Sequence, residues 1–169
     1  MFMRKEVVVI MGYRTVDEAV NFEFQDAEIL EIKLDRGHLF LNLGYVTILP
    51  ENSCNRDIRK MGTNELLFQV QHVTVESFLE EGYKVFDADG NLTGTCDDRV
   101  IATEEYPQMF QELQQGNIYA LLKKETGEED SPFLYEIYMD ANERTYLLKV
   151  KGKHDVQEWE RFMNREASY

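Results

Sequence analysis

The sequence predicts an α+β fold, mainly antiparallel β, built as a sandwich or partly closed barrel with two or three short helices including a C-terminal helix. Apolar residues recur at every second position along much of the chain, as they do in strands that bury one face. Short turns connect these stretches, whereas parallel strands would need long helical crossovers. The chain has 169 residues, 43% of them hydrophobic, so we predict a single domain over residues 1–169.

The alternating segments predict about eight or nine strands. Residues 7–11 are an apolar run that we interpret as a core strand. Residues 27–49 alternate on both sides of a turn at residues 35–37, which is typical of a β-hairpin. Residues 66–78 alternate as well and are rich in β-branched side chains. The other predicted strands cover residues 83–86, 92–95, 117–124 and the two arms of a hairpin around residues 141–143.

Two short helices are predicted from the residues at their ends. Thr15 and Glu18 have the spacing of a capping box, which predicts a turn or two of helix after them. Pro107 stands near the start of a second apolar-periodic segment, and Gly116 follows its end. Both helices are expected to pack against the sheet.

A third helix is predicted at the C-terminal end. Asp155 and Glu158 again have capping-box spacing, and Val156, Trp159 and Phe162 follow at helical intervals. This apolar stripe favours a helix that closes one edge of the core. Docking of the same stripe onto a partner is the alternative.

Residues 85–98 contain four aspartates and two glycines and are the nearest approach to a motif in the chain. An EF-hand needs glycine at loop position six and glutamate at twelve, but counting from Asp87 places Gly90 at four and Asp98 at twelve. The flanking residues are also typical of strands instead of helices. We therefore predict a hairpin turn and no metal site.

The chain is strongly acidic, with 32 carboxylate residues, 18 basic residues and a formal charge of −14. Such a surface repels nucleic acid and anionic membranes and attracts basic partners. Residues 80–130 hold 13 of the carboxylates and only four basic residues. A surface kept acidic for solubility alone is the alternative. The residues predicted to contact a partner are Asp97, Asp98, Glu128, Glu129 and Asp130.

No local pattern predicts catalysis. The chain lacks the glycine-rich and serine-centred motifs of nucleotide-binding proteins and hydrolases, and its three histidines have no metal-ligand spacing. We predict no catalytic residues, no metal and no cofactor. A pairing of Cys54 or Cys96 with a distant histidine stays open. No apolar run approaches the roughly 20 residues that cross a bilayer, which predicts a cytoplasmic protein.

The segment Phe24-Gln25-Asp26-Ala27-Glu28-Ile29, which leads into the predicted hairpin, resembles the opening of small bacterial β-rich proteins that begin F-H-D-A-x-I. Some members of that group resemble immunity proteins, which neutralise toxins of polymorphic toxin systems. The resemblance covers residues 24–43, and Gln25 stands where those proteins carry histidine. It implies a bacterial, cytosolic binding protein.

Three functional hypotheses follow. The first is a non-catalytic acidic protein that binds a basic protein, as an immunity-type inhibitor of a basic toxin does. The second is a ligand-binding barrel or an enzyme with a site assembled from scattered residues. The third is a subunit that self-associates through the predicted Trp159 helix, and the sequence leaves the oligomeric state open. The aromatic residues expected to line a ligand site are Tyr45, Tyr119, Tyr135 and Tyr138.

Overall fold

The computed structural model describes residues 12–163, which form mainly antiparallel β-sheet. This part of the chain contains sixteen strands, one α-helix and two 3-10 turns. Many of the strands are only two to four residues long, which explains why they outnumber the predicted ones. The predicted strand at residues 7–11 lies outside the described residues.

The strands are β1 (Tyr13–Val16), β2 (Phe22–Glu23), β3 (Ile29–Asp35), β4 (His38–Leu43), β5 (Thr47–Ile48), β6 (Met61–Thr63), β7 (Leu66–Gln71), β8 (Thr74–Glu80), β9 (Tyr83–Phe86), β10 (Leu92–Cys96), β11 (Arg99–Val100), β12 (Asn117–Glu125), β13 (Phe133–Ala141), β14 (Arg144–Gly152), β15 (His154–Trp159) and β16 (Phe162–Met163). The helix α1 is Tyr106–Glu112, and the 3-10 turns are Ala19–Asn21 and Thr103–Glu105.

These strands form four antiparallel sheets, none of which closes on itself. One five-stranded sheet has the order β1-β15-β7-β4-β3, and the other has the order β11-β8-β14-β13-β12. A four-stranded sheet of short strands has the order β16-β6-β5-β2. Within residues 12–163, the strands β9 and β10 pair only with each other.

Two segments of the chain, residues 66–80 and 144–159, each run from one five-stranded sheet into the other. Together they join the two sheets along one side. β7 pairs with β15 in the first sheet, and their continuations β8 and β14 pair in the second. The bend lies at His72, whose φ is +55°, and opposite it at Lys153. Residues 66–78, predicted as one strand, are therefore two strands in different sheets.

The buried faces of both five-stranded sheets contribute to one hydrophobic core. Phe68 from the first sheet meets Tyr135 from the second, with their ring centroids 6.5 Å apart. Trp159 is fully buried, and Phe22 packs edge-on against its indole ring. The core therefore depends on residues from distant parts of the chain.

Two predicted hairpins are confirmed, and their turns have the expected backbone conformation. Ile29–Asp35 pairs with His38–Leu43, and Phe133–Ala141 pairs with Arg144–Gly152. Both central residues of each turn have positive φ, which matches the right-handed twist of the strands. These residues are Arg36 (54°) and Gly37 (82°) in the first turn, and Asn142 (54°) and Glu143 (63°) in the second.

Only one of the three predicted helices is confirmed as an α-helix. Tyr106–Glu112 is helical with Pro107 in its first turn, and it buries Met109 and Phe110. The first predicted helix is reduced to the 3-10 turn Ala19–Asn21, because Thr15 lies in a strand and its hydroxyl donates to Gln157 instead of capping.

The predicted C-terminal helix is wrong. His154–Trp159 is a strand between β1 and β7, and Phe162–Met163 is a short strand paired with β6. This strand is central in its sheet and buried on both faces, so its apolar residues do not alternate strictly. The helical spacing of Val156 and Trp159 was therefore a wrong indication of a helix. Asp155 is buried in the core and begins no helix of its own segment.

Candidate interaction surface

The strands β9 and β10 form a two-stranded ribbon over residues 83–96, which we call the ribbon. Tyr83 pairs with Cys96, Val85 with Gly94, and Phe86 with Leu92, with a bulge between the last two pairs. The predicted hairpin is thereby confirmed. Because its strands join no larger sheet in the described part of the chain, the ribbon has no core of its own there.

The ribbon exposes large apolar side chains. Phe86 is 57% exposed, Leu92 54%, Tyr83 49% and Val85 46%. Of thirteen large apolar side chains exposed in the described part of the chain, five lie between residues 83 and 100. Isolated two-stranded hairpins are marginally stable in water. Such a concentration of exposed apolar side chains is also unusual on a protein surface.

The ribbon turn is held by the carboxylate of Asp87. Its Oδ1 atom accepts hydrogen bonds from the backbone N–H groups of Asp89 and Asn91, each 2.9 Å long. These bonds, chiefly the one from Asn91, lower the pKa of the Asp87 carboxyl. Gly90 has a φ of +85°, which an L side chain rarely adopts. Asp87 thus serves the turn, and the predicted hairpin has the turn that its sequence indicated.

The base of the ribbon is anchored to the second five-stranded sheet. Asp98 Oδ1 accepts a 2.7 Å hydrogen bond from the backbone N–H of Gly82. The Arg144 guanidinium lies 4.9 Å from the centre of the Tyr83 ring and pairs with Glu80. A groove of about 380 Å³ beside this base is lined by Glu81, Tyr83 and Arg144, among others. The ribbon therefore projects in a defined direction.

The structure separates the predicted contact residues into two groups. Asp97 and Asp98 lie at the base of the ribbon, beyond the Glu80 end of β8. Residues 128–130 lie in the loop between β12 and β13, at the level of Gly152 and the opposite end of that sheet. Glu128 is also paired with Lys151, 2.7 Å away. The five predicted contact residues therefore do not form one continuous surface.

A buried polar cluster around Asp155 was not predicted from the sequence. Asp155 is inaccessible to solvent, and its Oδ2 atom accepts hydrogen bonds from Lys123 Nζ (2.7 Å) and the Tyr135 hydroxyl (2.6 Å). Its Oδ1 atom accepts from the Ala19 N–H and from Gln157 Nε2. Burial, with the nearby Asp155 charge, raises the pKa of the Tyr135 hydroxyl.

This cluster is a satisfied core network. Four donors occupy the Asp155 carboxylate, and Lys123 also lies 4.2 Å from the centre of the Phe133 ring. No sequence signal points to it, because its members are separated by up to more than a hundred residues. It stabilises the fold and offers no open position for a ligand.

The thiols and imidazoles do not meet within residues 12–163. Cys54 Sγ lies 4.0 Å from the Arg14 carbonyl oxygen, and Cys96 Sγ lies 3.8 Å from that of Asp97. The rings of His38 and His72 contact each other, and His154 contacts Asp17.

The aromatic residues of the ligand-site hypothesis are also dispersed. Tyr135 lies in the core, whereas Tyr119 is exposed on the edge strand β12, where its ring meets that of Tyr138. Tyr45 packs against Gly62 in the small four-stranded sheet. These side chains do not line one cavity.

Comparison with known proteins gave no matching family model, no matching curated protein and no matching solved structure. Among residues 12–163, no group of three or more histidine, cysteine, aspartate and glutamate side chains is arranged to hold a metal ion. In the same range, no helix combines the length and apolar character needed to cross a bilayer.

Proposed function

We propose that the protein is a non-catalytic binding protein of the bacterial cytoplasm whose partner is a basic protein, and that it acts as an immunity-type inhibitor of a basic toxin. The main support for this proposal is the exposed surface of the ribbon. It combines exposed apolar side chains with carboxylates at its tip and base.

The apolar part of the ribbon supplies the affinity. Phe86 and Leu92 are each more than half exposed and pack on no core. Burying such side chains in a partner contributes roughly 25 cal/mol for each Å² removed from water. Large apolar residues at the centre of an interface commonly dominate its binding energy.

The charged part selects the partner. Asp89 at the tip and Asp97 at the base are exposed, and neither forms an ion pair within the described residues. Uncompensated carboxylates repel acidic proteins and accelerate encounter with basic ones. A basic toxin is a partner with this chemistry.

The proposal is tested by affinity capture from the source organism, comparing the wild-type chain with the double variant Phe86→Ser, Leu92→Ser. We expect the wild type to retain a basic protein that the variant loses. Ile58→Ser is the matched control, since Ile58 is 92% exposed but lies far from the ribbon in sequence. Equal retention by the wild type and the double variant would contradict the proposal.

The captured protein is then purified, and the rate at which it associates with this chain is measured over a range of salt concentrations. If carboxylates select the partner, the association rate falls as salt rises, because screening shortens the range of attraction to about 8 Å at physiological ionic strength. An association rate that does not change with salt would remove the electrostatic part of the proposal.

A further inference from the structure

The ribbon has apolar side chains on both of its faces. Side chains alternate between faces along a strand, and directly paired residues share a face. Tyr83 and Val85 therefore lie on one face, and the pair Phe86 and Leu92 lies on the other. All four are between 46% and 57% exposed, so about half of each side chain is open to water on both faces, although Tyr83 contacts Arg144 at the base.

A flat partner surface can cover only one of these faces. Docking on the Phe86 face would leave Val85 in water, and docking on the Val85 face would leave Leu92 in water. Both faces are removed from water together only when a partner surrounds the ribbon. We infer that the ribbon inserts into a cleft of its partner, whose two walls contact the two faces; this rests on the proposed function.

The charges on the ribbon define the cleft. Asp87 and Asp89 lie at the tip, which enters first, and Asp97 and Asp98 lie at the base, which meets the rim. The ribbon also carries one exposed cation, Lys84, on the face of Phe86. The matching cleft therefore has apolar walls with an acceptor for Lys84 on one of them, a basic floor and a basic rim. The partner is therefore a basic protein with a cleft of this kind.

The anchoring of the ribbon is consistent with insertion. The Gly82 to Asp98 hydrogen bond and the contact of Tyr83 with Arg144 fix its direction before any partner arrives. A ribbon ordered in advance loses less conformational entropy on binding than a disordered segment would.

Site-specific photo-crosslinking in cells of the source organism tests the inference. A benzophenone side chain replaces Val85 on one face, Leu92 on the other face, or Ile58 as an exposed apolar control. We expect positions 85 and 92 to give an adduct of the same mass with the same basic protein, and position 58 to give none.

Each other outcome overturns the inference in a distinguishable way. Adducts from only one face would show docking on a flat surface and leave the proposed function intact. Adducts at twice the mass of the chain would identify a second copy as the occupant. Absence of adducts from both faces would remove both the inference and the proposed function.

A second measurement tests the basic floor with the purified partner. Asp89→Asn at the tip should weaken affinity by about three- to tenfold, because it removes one charge from the floor contact. Asp130→Asn removes an equal charge at the opposite end of the sheet and should leave affinity unchanged. Equal effects of the two variants would show that overall charge, and not insertion, governs binding.

Discussion

Lys123 Nζ and Asp155 Oδ2 lie 2.7 Å apart and connect the two five-stranded sheets through the core. Lys123 belongs to the edge strand β12 of one sheet, and Asp155 belongs to β15 of the other. The lysine side chain is only 9% exposed and that of the aspartate is not exposed at all. Water therefore does little to screen the attraction between the two charges.

Lys123→Met should destabilise the fold by about 3–5 kcal/mol, because it leaves the Asp155 carboxylate buried without its counter-charge. Urea denaturation measures this as a lower midpoint. Lys60→Met is the control, since Lys60 pairs with Glu23 at the surface and its loss should cost less than about 1 kcal/mol. Similar losses for both variants would show that the buried pair has no special weight.

Replacing the apolar ribbon side chains should leave stability almost unchanged. Phe86→Ser and Leu92→Ser remove no contact with the core, so each should change the free energy of unfolding by less than about 0.5 kcal/mol. Thermal or urea unfolding checks this. A large loss of stability would mean that these side chains serve the fold instead of a partner.

Gly82→Ala should displace the ribbon without unfolding the sheets. A Cβ atom at Gly82 would lie 2.0 Å from the Cys96 carbonyl oxygen, and backbone must move to relieve this contact. Gly94→Ala is the matched control within the ribbon, because nothing lies within 4 Å of its Cβ position. Hydrogen exchange should become faster at residues 83–96 in the first variant only. Unchanged exchange in Gly82→Ala would contradict the anchoring described above.

The buried carboxylate of Glu136 should make stability depend on pH. A hydrogen bond from Lys124 Nζ, 2.8 Å away, and the charge of Lys149 lower its pKa. A pKa lowered by folding stabilises the protein above the ordinary glutamate value of about 4.3, and this contribution is lost as pH falls through the folded pKa.

The measurement compares the wild type with Glu136→Gln in urea at pH 7 and pH 3. The wild type should be the more stable at pH 7, and the difference should shrink at pH 3, which lies below the ordinary glutamate pKa, so that ionising Glu136 no longer favours the folded state to the same extent. A difference that stays constant between these pH values would contradict the assignment.

Millimolar Ca²⁺ should leave the melting temperature unchanged. The Asp87 carboxylate is already engaged by two backbone N–H groups of the turn, and a ligand that bound the folded state would raise the melting temperature. Differential scanning calorimetry with and without Ca²⁺ decides this. An upward shift would mean that the aspartates hold a cation.

Local patterns predicted the hairpins because their partners lie close in sequence. Alternation fixes which face of Ile29–Asp35 is buried, and the turn at Arg36 and Gly37 brings its neighbour alongside. The proline and apolar spacing of Tyr106–Glu112 likewise act within one helix. Such features need no knowledge of distant residues.

Residues 154–159 show why local patterns fail for a central strand. This segment pairs with β7, almost ninety residues earlier, and with β1 near the other end of the described chain. Those long-range hydrogen bonds outweigh its local helical spacing. The same distance hides the contact of Asp155 with Lys123 and Tyr135.

The sequence by itself determined the acidic charge, the antiparallel hairpins and the turn of residues 85–98, since composition and local alternation suffice for them. Only the tertiary structure decided that Asp97 and Asp98 lie far from Glu128, Glu129 and Asp130, and that Phe86 and Leu92 meet no core. Burial belongs to the assembled sheets and not to any single strand. A β-strand therefore has the same pattern in the sequence whether its apolar side chains face the core or the solvent.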